Sequence, residues 1–218
     1  MLMNEIGSIS CRLANWKHQL SFAANSCFQS HTHLVKEPPS GDEWLHELKF
    51  DGYRMLCRID RGRVSMWSRN GKDWTEKFQN VVEAVKSLKA TSAMLDGEIV
   101  IVDAQGRSSF QKLQRAIGKA TITGFAYEVF ISFISTASAS LRLLRHRKEL
   151  LKNLVGSNSR GVIRYSEHIS GSGDEFFKHA CEYGIEGIVS KLANSHYESK
   201  THPESPPGKQ TPTPAECK

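Results

Sequence analysis

Long apolar runs and closely paired cysteines are both missing from this 218-residue chain. No stretch approaches the ~18 consecutive apolar residues of a transmembrane helix, which predicts no membrane partner. The N-terminus has no basic start followed by an apolar run, so no secretory signal is predicted. The five cysteines are odd in number and contain no CxxC pair, which argues against a zinc ribbon and a disulfide scaffold. These absences predict a reducing, cytoplasmic location.

The composition is typical of a folded, basic protein. Hydrophobic residues make up 39% and charged residues 24%, which excludes a wholly disordered or collagen-like chain. The formal net charge is +6, and the positive charge lies between the two terminal segments. A basic surface permits a nucleic-acid or phosphate-rich partner, although solubility alone explains it equally well.

Three regions follow from composition. Five of the seven prolines lie in residues 192–218, where no apolar periodicity is visible, and we predict a Pro-rich disordered tail there. Residues 1–35 are poorly patterned and form a predicted N-terminal arm. Residues 36–191 are left as the folded domain.

Within that domain, strand and helix patterns alternate. Short strands are predicted at residues 44–50, 54–60, 63–68, 93–103, 124–133, 162–165 and 187–191. Helices are predicted at residues 75–89, 110–117, 145–154 and after Asp174. Because hairpins come first and helices are interleaved later, we predict an α+β fold with mainly antiparallel sheet rather than a doubly wound parallel one.

Residues 47–54 (ELKFDGYR) are the most informative stretch. Lys49 ends an apolar strand just before an Asp-Gly turn, and partial burial beside a cation such as Arg54 would lower its pKa and make it a nucleophile. Arg54 could also clamp a phosphate. A surface hairpin with mixed charges is the alternative interpretation of this stretch alone.

Three further segments carry charged residues at strand ends. Arg69 enters an Asn-Gly turn and could bind a ribose or phosphate, or only solvent. Glu98 and Glu186 enter apolar strands, where a carboxylate needs a metal, a lysine or a hydroxyl as partner. Lys191 leaves the same strand as Glu186. Two carboxylates can hold Mg²⁺ through oxygen, so the set predicts a phosphate-transfer site.

Taken in order, these segments resemble the covalent nucleotidyltransferases. They are most similar to the ATP-dependent DNA ligase domain of bacterial non-homologous end-joining ligases. The segments that carry the resemblance are WLHELKFDGYR, SRNGKDWT, LDGEIV and EGIVSK, with PPSGDEW and SFQKLQ as features of the bacterial branch.

The resemblance implies a two-step reaction. Lys49 would attack the α-phosphate of ATP and form lysyl-AMP, and the AMP would then pass to a 5′-phosphate in nicked or broken DNA. It also implies a nucleotidyltransferase-type adenylation domain, Mg²⁺ as cofactor, end-joining proteins as partners and a nucleoid location. The implied nucleotide-binding residues are Glu47, Arg54, Arg69, Glu98, Phe130 and Lys191. Glu98 and Glu186 would bind the metal.

The resemblance weakens in three patches. After residues 195–197 the chain has no counterpart of the family's next motif, a Trp followed by Lys-x-Lys, and no oligonucleotide-binding (OB) domain is expected. The family's Phe-Asp-Leu-Leu stands here as residues 130–133 (FISF), and the N-terminal lead-in also differs. We therefore expect impaired ligation, an exposed sheet edge near residues 186–191 and a marginal fold.

Two alternatives accompany the ligase hypothesis. One is an inactive remnant that only binds nucleotide or DNA. The other is an RNA ligase or an RNA-capping guanylyltransferase, against which the two bacterial-branch features argue.

Overall fold

The computed structural model describes residues 35–118, 124–134, 143–156, 161–196 and 213–217. The strands are β1 (Gly41–Leu48), β2 (Tyr53–Asp60), β3 (Arg63–Ser68), β4 (Ser92–Ile101), β5 (Phe125–Ile134), β6 (Ile163–Tyr165), β7 (His168–Gly171), β8 (Gly187–Leu192) and β9 (Thr213–Glu216). The helices are α1 (Gln79–Lys86), α2 (Phe110–Ile117), α3 (Leu144–Val155) and α4 (Gly173–Glu182). No described helix is long and apolar enough to cross a membrane.

The strands form two sheets. The larger sheet has the order β3-β2-β4-β5-β6, and the smaller has the order β7-β1-β8-β9. All pairs are antiparallel except β5 with β6, which confirms the α+β prediction of mainly antiparallel sheet. The predicted strands and helices of the middle region are all present. The prediction did not include β7, a four-residue strand beside β1.

The larger sheet has one apolar and one charged face. Odd-numbered residues such as Met55, Leu95 and Tyr127 are fully buried with helices α1, α2 and α3 in the main core. Helix α1 contributes Val81, Val82 and Val85 to this core at the spacing that the sequence showed. Because successive side chains of a strand alternate in direction, the even-numbered residues of β2, β4 and β5 face the opposite way. That second face carries Arg54, Asp96, Glu98, Glu128 and Phe130.

The smaller sheet is covered by α4. Ala180 of α4 packs with Ile188 of β8 and Ala215 of β9 in a separate apolar cluster. Helix α3 reaches both sheets, since its Leu151 joins the main core and its Leu144 contacts Leu45 of β1. Helix α3 therefore packs where the two sheets meet.

Two predictions about the C-terminal region are wrong. The edge of β8 is not exposed, because β9 pairs with it antiparallel, with Pro214 opposite Val189. Residues 213–216 form a strand, so the predicted disordered tail does not extend over them, and residues 197–212 lie outside the described part. Proline is tolerated here because β9 is an edge strand with a neighbour on one side only. Gly187 permits the pairing, since a β-carbon there would collide with the carbonyl oxygen of Ala215.

A disulfide joins Cys181, in the last turn of α4, to Cys217, which follows β9. The two Cα atoms are 5.3 Å apart, within the usual range for a disulfide. The cysteine count argued against a disulfide scaffold and gave no sign of this single cross-link. Cys57 is a buried free cysteine in the larger sheet.

Candidate nucleotidyl-transfer site

Lys49 lies one residue beyond the end of β1, at the start of the turn that leads to β2. Its backbone N–H donates to the carbonyl oxygen of Gly187, which fixes the turn against β8. The Asp51 carboxylate accepts a hydrogen bond of 2.9 Å from the backbone N–H of Phe110 at the start of α2. A β-carbon at Gly52 would meet the carbonyl oxygen of Ile99, so only glycine fits there. The Lys-x-Asp-Gly segment is thus a turn locked to both sheets.

The Lys49 amine is bound by two carboxylates. Its Nζ is 2.5 Å from Oε1 of Glu186 and also contacts Oε1 of Glu216. We call Glu186, Lys49 and Glu216 the exposed triad, because the three side chains keep 24 to 43% of their surface. Burial lowers the pKa of Lys49, but its hydrogen bonds to the two carboxylates outweigh burial and raise it.

This arrangement corrects the expected activation of Lys49. The neighbours of its amine are carboxylates rather than the guanidinium of Arg54. Arg54 instead forms a bidentate ion pair with Asp96, with Nε–Oδ1 at 3.1 Å and Nη2–Oδ2 at 2.8 Å. The lysine is therefore held protonated in this structure, not poised near neutrality.

Glu47 is the centre of a second ionic cluster, two residues before Lys49. Its Oε2 is 2.9 Å from the Lys191 amine, and its Oε1 is 3.2 Å from the Lys148 amine. We call Lys148, Glu47 and Lys191 the buried triad, because Lys148 and Glu47 are only 1 and 2% exposed. Burial alone would raise the pKa of Glu47, but the two lysines lower it and keep the carboxylate ionised.

Lys148 was not among the site residues predicted from the sequence. Its Nζ donates a 2.6 Å hydrogen bond to the backbone oxygen of Ser166 and lies 4.5 Å from the Tyr165 ring centroid. Burial lowers its pKa to about 8. The only signal in the sequence was its place on an amphipathic helix, where a lysine is usually solvent-exposed.

Phe130 connects the two sheets. The guanidinium of Arg54 lies 5.4 Å from its ring centroid and the Lys191 amine lies 4.8 Å from it. Both distances are within the range of a cation–π contact. The ring and its two cations form an aromatic and positive surface beside the buried triad.

Glu98 lies opposite Arg54 in the β2–β4 register. Burial raises its pKa to about 7, opposed by the charge of Arg54 and by a hydrogen bond from Gly52, and assisted by the charges of Asp96 and Glu186. No cluster of three metal-binding side chains occurs in the described ranges.

Arg69 is the predicted residue that the structure leaves at the rim. It is exposed in the turn after β3, just beyond Ser68, which lies opposite Met55 of β2. Within the described part of the chain, no hydrogen bond or ion pair joins its guanidinium to the other predicted residues. The remaining ones, Glu47, Lys49, Arg54, Glu98, Phe130, Glu186 and Lys191, lie around the junction of the two sheets.

Comparison with known proteins agrees with this geometry. The ATP dependent DNA ligase domain, as a family, matches residues 22–204. The multifunctional non-homologous end joining protein LigD of Pseudomonas aeruginosa is 34% identical over 168 residues, which is 77% of this chain and 20% of that protein. The SPbeta prophage-derived DNA ligase-like protein LigB of Bacillus subtilis is 29% identical over 76% of this chain and 60% of its own length.

Solved structures of the same fold are also similar. A mycobacterial DNA ligase D complexed with ATP and MES superposes with a TM-score of 0.65 at 23% identity, over 87% of this chain and 61% of that one. The ligase domain of M. tuberculosis LigD gives 0.65 at 22% identity, over 85% and 60%. This chain spans between a fifth and a third of the length of the LigD proteins it matches. The family match covers most of the chain, and the chain belongs to the ATP-dependent DNA ligase domain family.

Proposed function

We propose that this chain performs the nucleotidyl-transfer step of an ATP-dependent DNA ligase, with Lys49 as the residue that accepts AMP. The observation that carries the proposal is the position of the Lys49 amine. It is partly exposed just beyond the end of β1 and hydrogen-bonded to Glu186, in a domain whose two sheets meet at the cationic, aromatic cluster of Arg54, Phe130 and Lys191.

The reaction proposed for this site is a displacement at phosphorus. Lys49 first loses a proton to the Glu186 carboxylate, which lies 2.5 Å from its Nζ. The freed nitrogen attacks the α-phosphorus of ATP, a P–N bond forms, the bond to the β-phosphate oxygen breaks to release pyrophosphate, and a second proton leaves the nitrogen to solvent. Phe130 stacks on the base, and Glu47, buried between Lys148 and Lys191, holds the Lys191 amine rather than contacting adenine itself. Arg54 and Lys191 stabilise the phosphate charge, and Arg69 adds a contact from the rim.

Glu98 and Glu186 are the two carboxylates that would hold a magnesium ion together with the nucleotide. Mg²⁺ takes one or two protein carboxylates and completes its shell with phosphate oxygens and water. Burial raises the pKa of Glu98 to about 7, and a bound cation would offset that cost of ionisation. When bound, the ion would neutralise phosphate charge.

Self-adenylation is the direct test. The protein is incubated with ATP labelled on the α-phosphate and Mg²⁺, then separated on a denaturing gel. We expect a labelled band that Lys49→Ala abolishes and that Lys112→Ala, a change of an exposed lysine on α2, preserves. Label retained in Lys49→Ala would exclude Lys49 as the acceptor. Competition by unlabelled ATP but not GTP would separate a DNA ligase from a capping guanylyltransferase.

The proposed partner of the adenylated protein is nicked or broken duplex DNA. The proposed location is the nucleoid of a bacterial cytoplasm, and end-joining proteins are the proposed protein partners. The net charge of +6 supports a phosphate-rich partner. Fluorescence anisotropy with nicked and intact duplexes of the same sequence tests this. We expect tighter binding to the nick and an affinity that falls as salt rises, and equal binding to both duplexes would contradict the proposal.

A second candidate is a protein that binds nucleotide or DNA without transferring AMP. The contact of Glu216 with the Lys49 amine favours it, since that contact keeps the amine charged and covered. Nucleotide binding by folded protein with no covalent label under any redox condition would support this alternative.

A further inference from the structure

Strand β9 is an integral part of the smaller sheet. It pairs with β8 over four residues, from Gly187 opposite Glu216 to Ser190 opposite Thr213. Ala215 is fully buried in the cluster under α4, and Val35 forms a bridge to it. Three contacts of different kinds therefore hold this strand in place: pairing with β8, burial of its alanine and a bridge from the N-terminal side of the domain.

Glu216 is fixed on both sides along the chain. The residue before it is the buried Ala215. The residue after it, Cys217, donates its backbone N–H to the carbonyl oxygen of Glu186 at 2.9 Å and is cross-linked to Cys181. The backbone at Glu216 is therefore held beside Lys49 while the disulfide is intact.

The contact between Glu216 and Lys49 opposes the proposed chemistry in two ways. A lysine must lose its proton to act as a nucleophile, and a hydrogen-bonded carboxylate favours the protonated form. A carboxylate beside the amine also repels the negatively charged phosphate that has to approach the same nitrogen. Glu216 therefore adds a second carboxylate to an amine that Glu186 already binds.

We propose that β9 is an inhibitory strap over Lys49 and that the Cys181–Cys217 disulfide is the latch that holds the strap closed. A dithiol reductant opens the latch by thiol–disulfide exchange: the S–S bond between Cys181 and Cys217 breaks, each sulfur gains an electron and a proton, and the dithiol is oxidised to its own disulfide. The residues that follow Glu216 are then no longer tied to α4, the end of β9 is held only by its noncovalent contacts, and Glu216 can leave the amine. The inference rests on the proposed function only for the identity of the incoming ligand.

The reactivity of the Lys49 amine tests the strap without any nucleotide. The full chain is treated briefly with an acetylating N-hydroxysuccinimide ester, and mass spectrometry of peptides gives acetylation of Lys49 relative to Lys112. We compare oxidised protein, protein reduced with dithiothreitol, and the oxidised variants Glu216→Gln and Glu76→Gln. Glu76 is an exposed acid between β3 and α1 and serves as the matched control.

We expect Lys49 acetylation to rise about two- to fivefold on reduction and in Glu216→Gln, the range that loss of a partly exposed ion pair allows. Glu76→Gln should equal the wild type. A non-reducing digest of the oxidised protein should contain the peptide that links Cys181 to Cys217, and its absence would overturn the latch. Unchanged Lys49 reactivity in Glu216→Gln would overturn the strap.

A double variant, Cys181→Ser with Cys217→Ser, separates the latch from other effects of the reductant. It should match reduced wild type in Lys49 reactivity and should not respond to dithiothreitol. An increase in Glu216→Gln without one on reduction of folded protein would overturn the redox control. Should the double variant not fold, the reduced wild type and Glu216→Gln still decide the question.

Parallel reactions with α-labelled ATP keep the two proposals apart. Higher Lys49 acetylation without AMP transfer would support the strap and contradict the nucleotidyl-transfer function. AMP transfer that does not change with reduction or in Glu216→Gln would support that function and overturn the strap.

Discussion

Two ionic triads lie two residues apart along the chain and have opposite composition. The buried triad is one carboxylate, Glu47, between two lysines, and the exposed triad is one amine, Lys49, between two carboxylates. The first is made by β1, α3 and β8, all within the predicted domain. The second takes Glu216 from the C-terminal strand. From this difference we infer that the buried triad stabilises the fold, whereas the exposed triad can lose its contact with Glu216 while the domain stays folded.

Removal of a cation from the buried triad should have the largest effect on stability. Lys148→Met leaves Glu47 with Lys191 as its only lysine partner in a site with almost no solvent, and we expect a loss of about 2 to 4 kcal/mol. Chemical denaturation measures it. Lys152→Met is the control on the same helix, since Lys152 is 47% exposed in its pair with Glu167 and should change stability by less than about 0.5 kcal/mol. Equal stability of the two variants would show that the buried triad does not stabilise the fold.

Glu98 extends the comparison with Glu47, because it is a buried carboxylate that does not lie between two lysines in the described part of the chain. Its pKa is raised to about 7 mainly by burial, so between about pH 4.5 and 7 the folded state holds a proton that the unfolded state has lost. Stability should therefore fall as pH rises through this range. Glu98→Gln should reduce the difference in unfolding free energy between pH 5 and pH 7.5 by about 1 to 2 kcal/mol. An identical pH dependence in wild type and variant would contradict this.

The exposed triad should contribute least to stability. Glu216→Gln removes one charge from a partly exposed pair while strand β9 and the disulfide remain, so we expect a change below about 1 kcal/mol in denaturation of the oxidised protein. A loss as large as that of Lys148→Met would erase the distinction between the two triads.

The sequence predicted the parts of the site that depend on local pattern. Lys49 and Glu186 were recognised because each stands beside a strand end, and Glu98 because a charged residue inside an apolar strand is unusual. Period-two alternation along β2 and β4 places Arg54 and Glu98 on one face of the larger sheet. These features need no knowledge of distant contacts.

The missed parts depend on pairing between distant segments. Glu216 is 167 residues from Lys49 and lies in a Pro-rich stretch whose pattern opposes a strand. Edge position and burial of Ala215 override that local preference. Lys148 looks like a surface lysine until α3 packs against both sheets. The pKa of Lys49 was predicted with the wrong sign, because the identity of its neighbours is a property of the fold.

The central claim is that Lys49, in the exposed triad, is the reactive amine, and mapping of the AMP adduct tests it most directly. Reduced protein is incubated with ATP and Mg²⁺ under conditions that preserve the acid-labile P–N bond, then digested and sequenced by mass spectrometry. The account predicts an AMP adduct on Lys49 and none on Lys148 or Lys191. An adduct on one of those lysines, or none at all in folded and reduced protein, would contradict it.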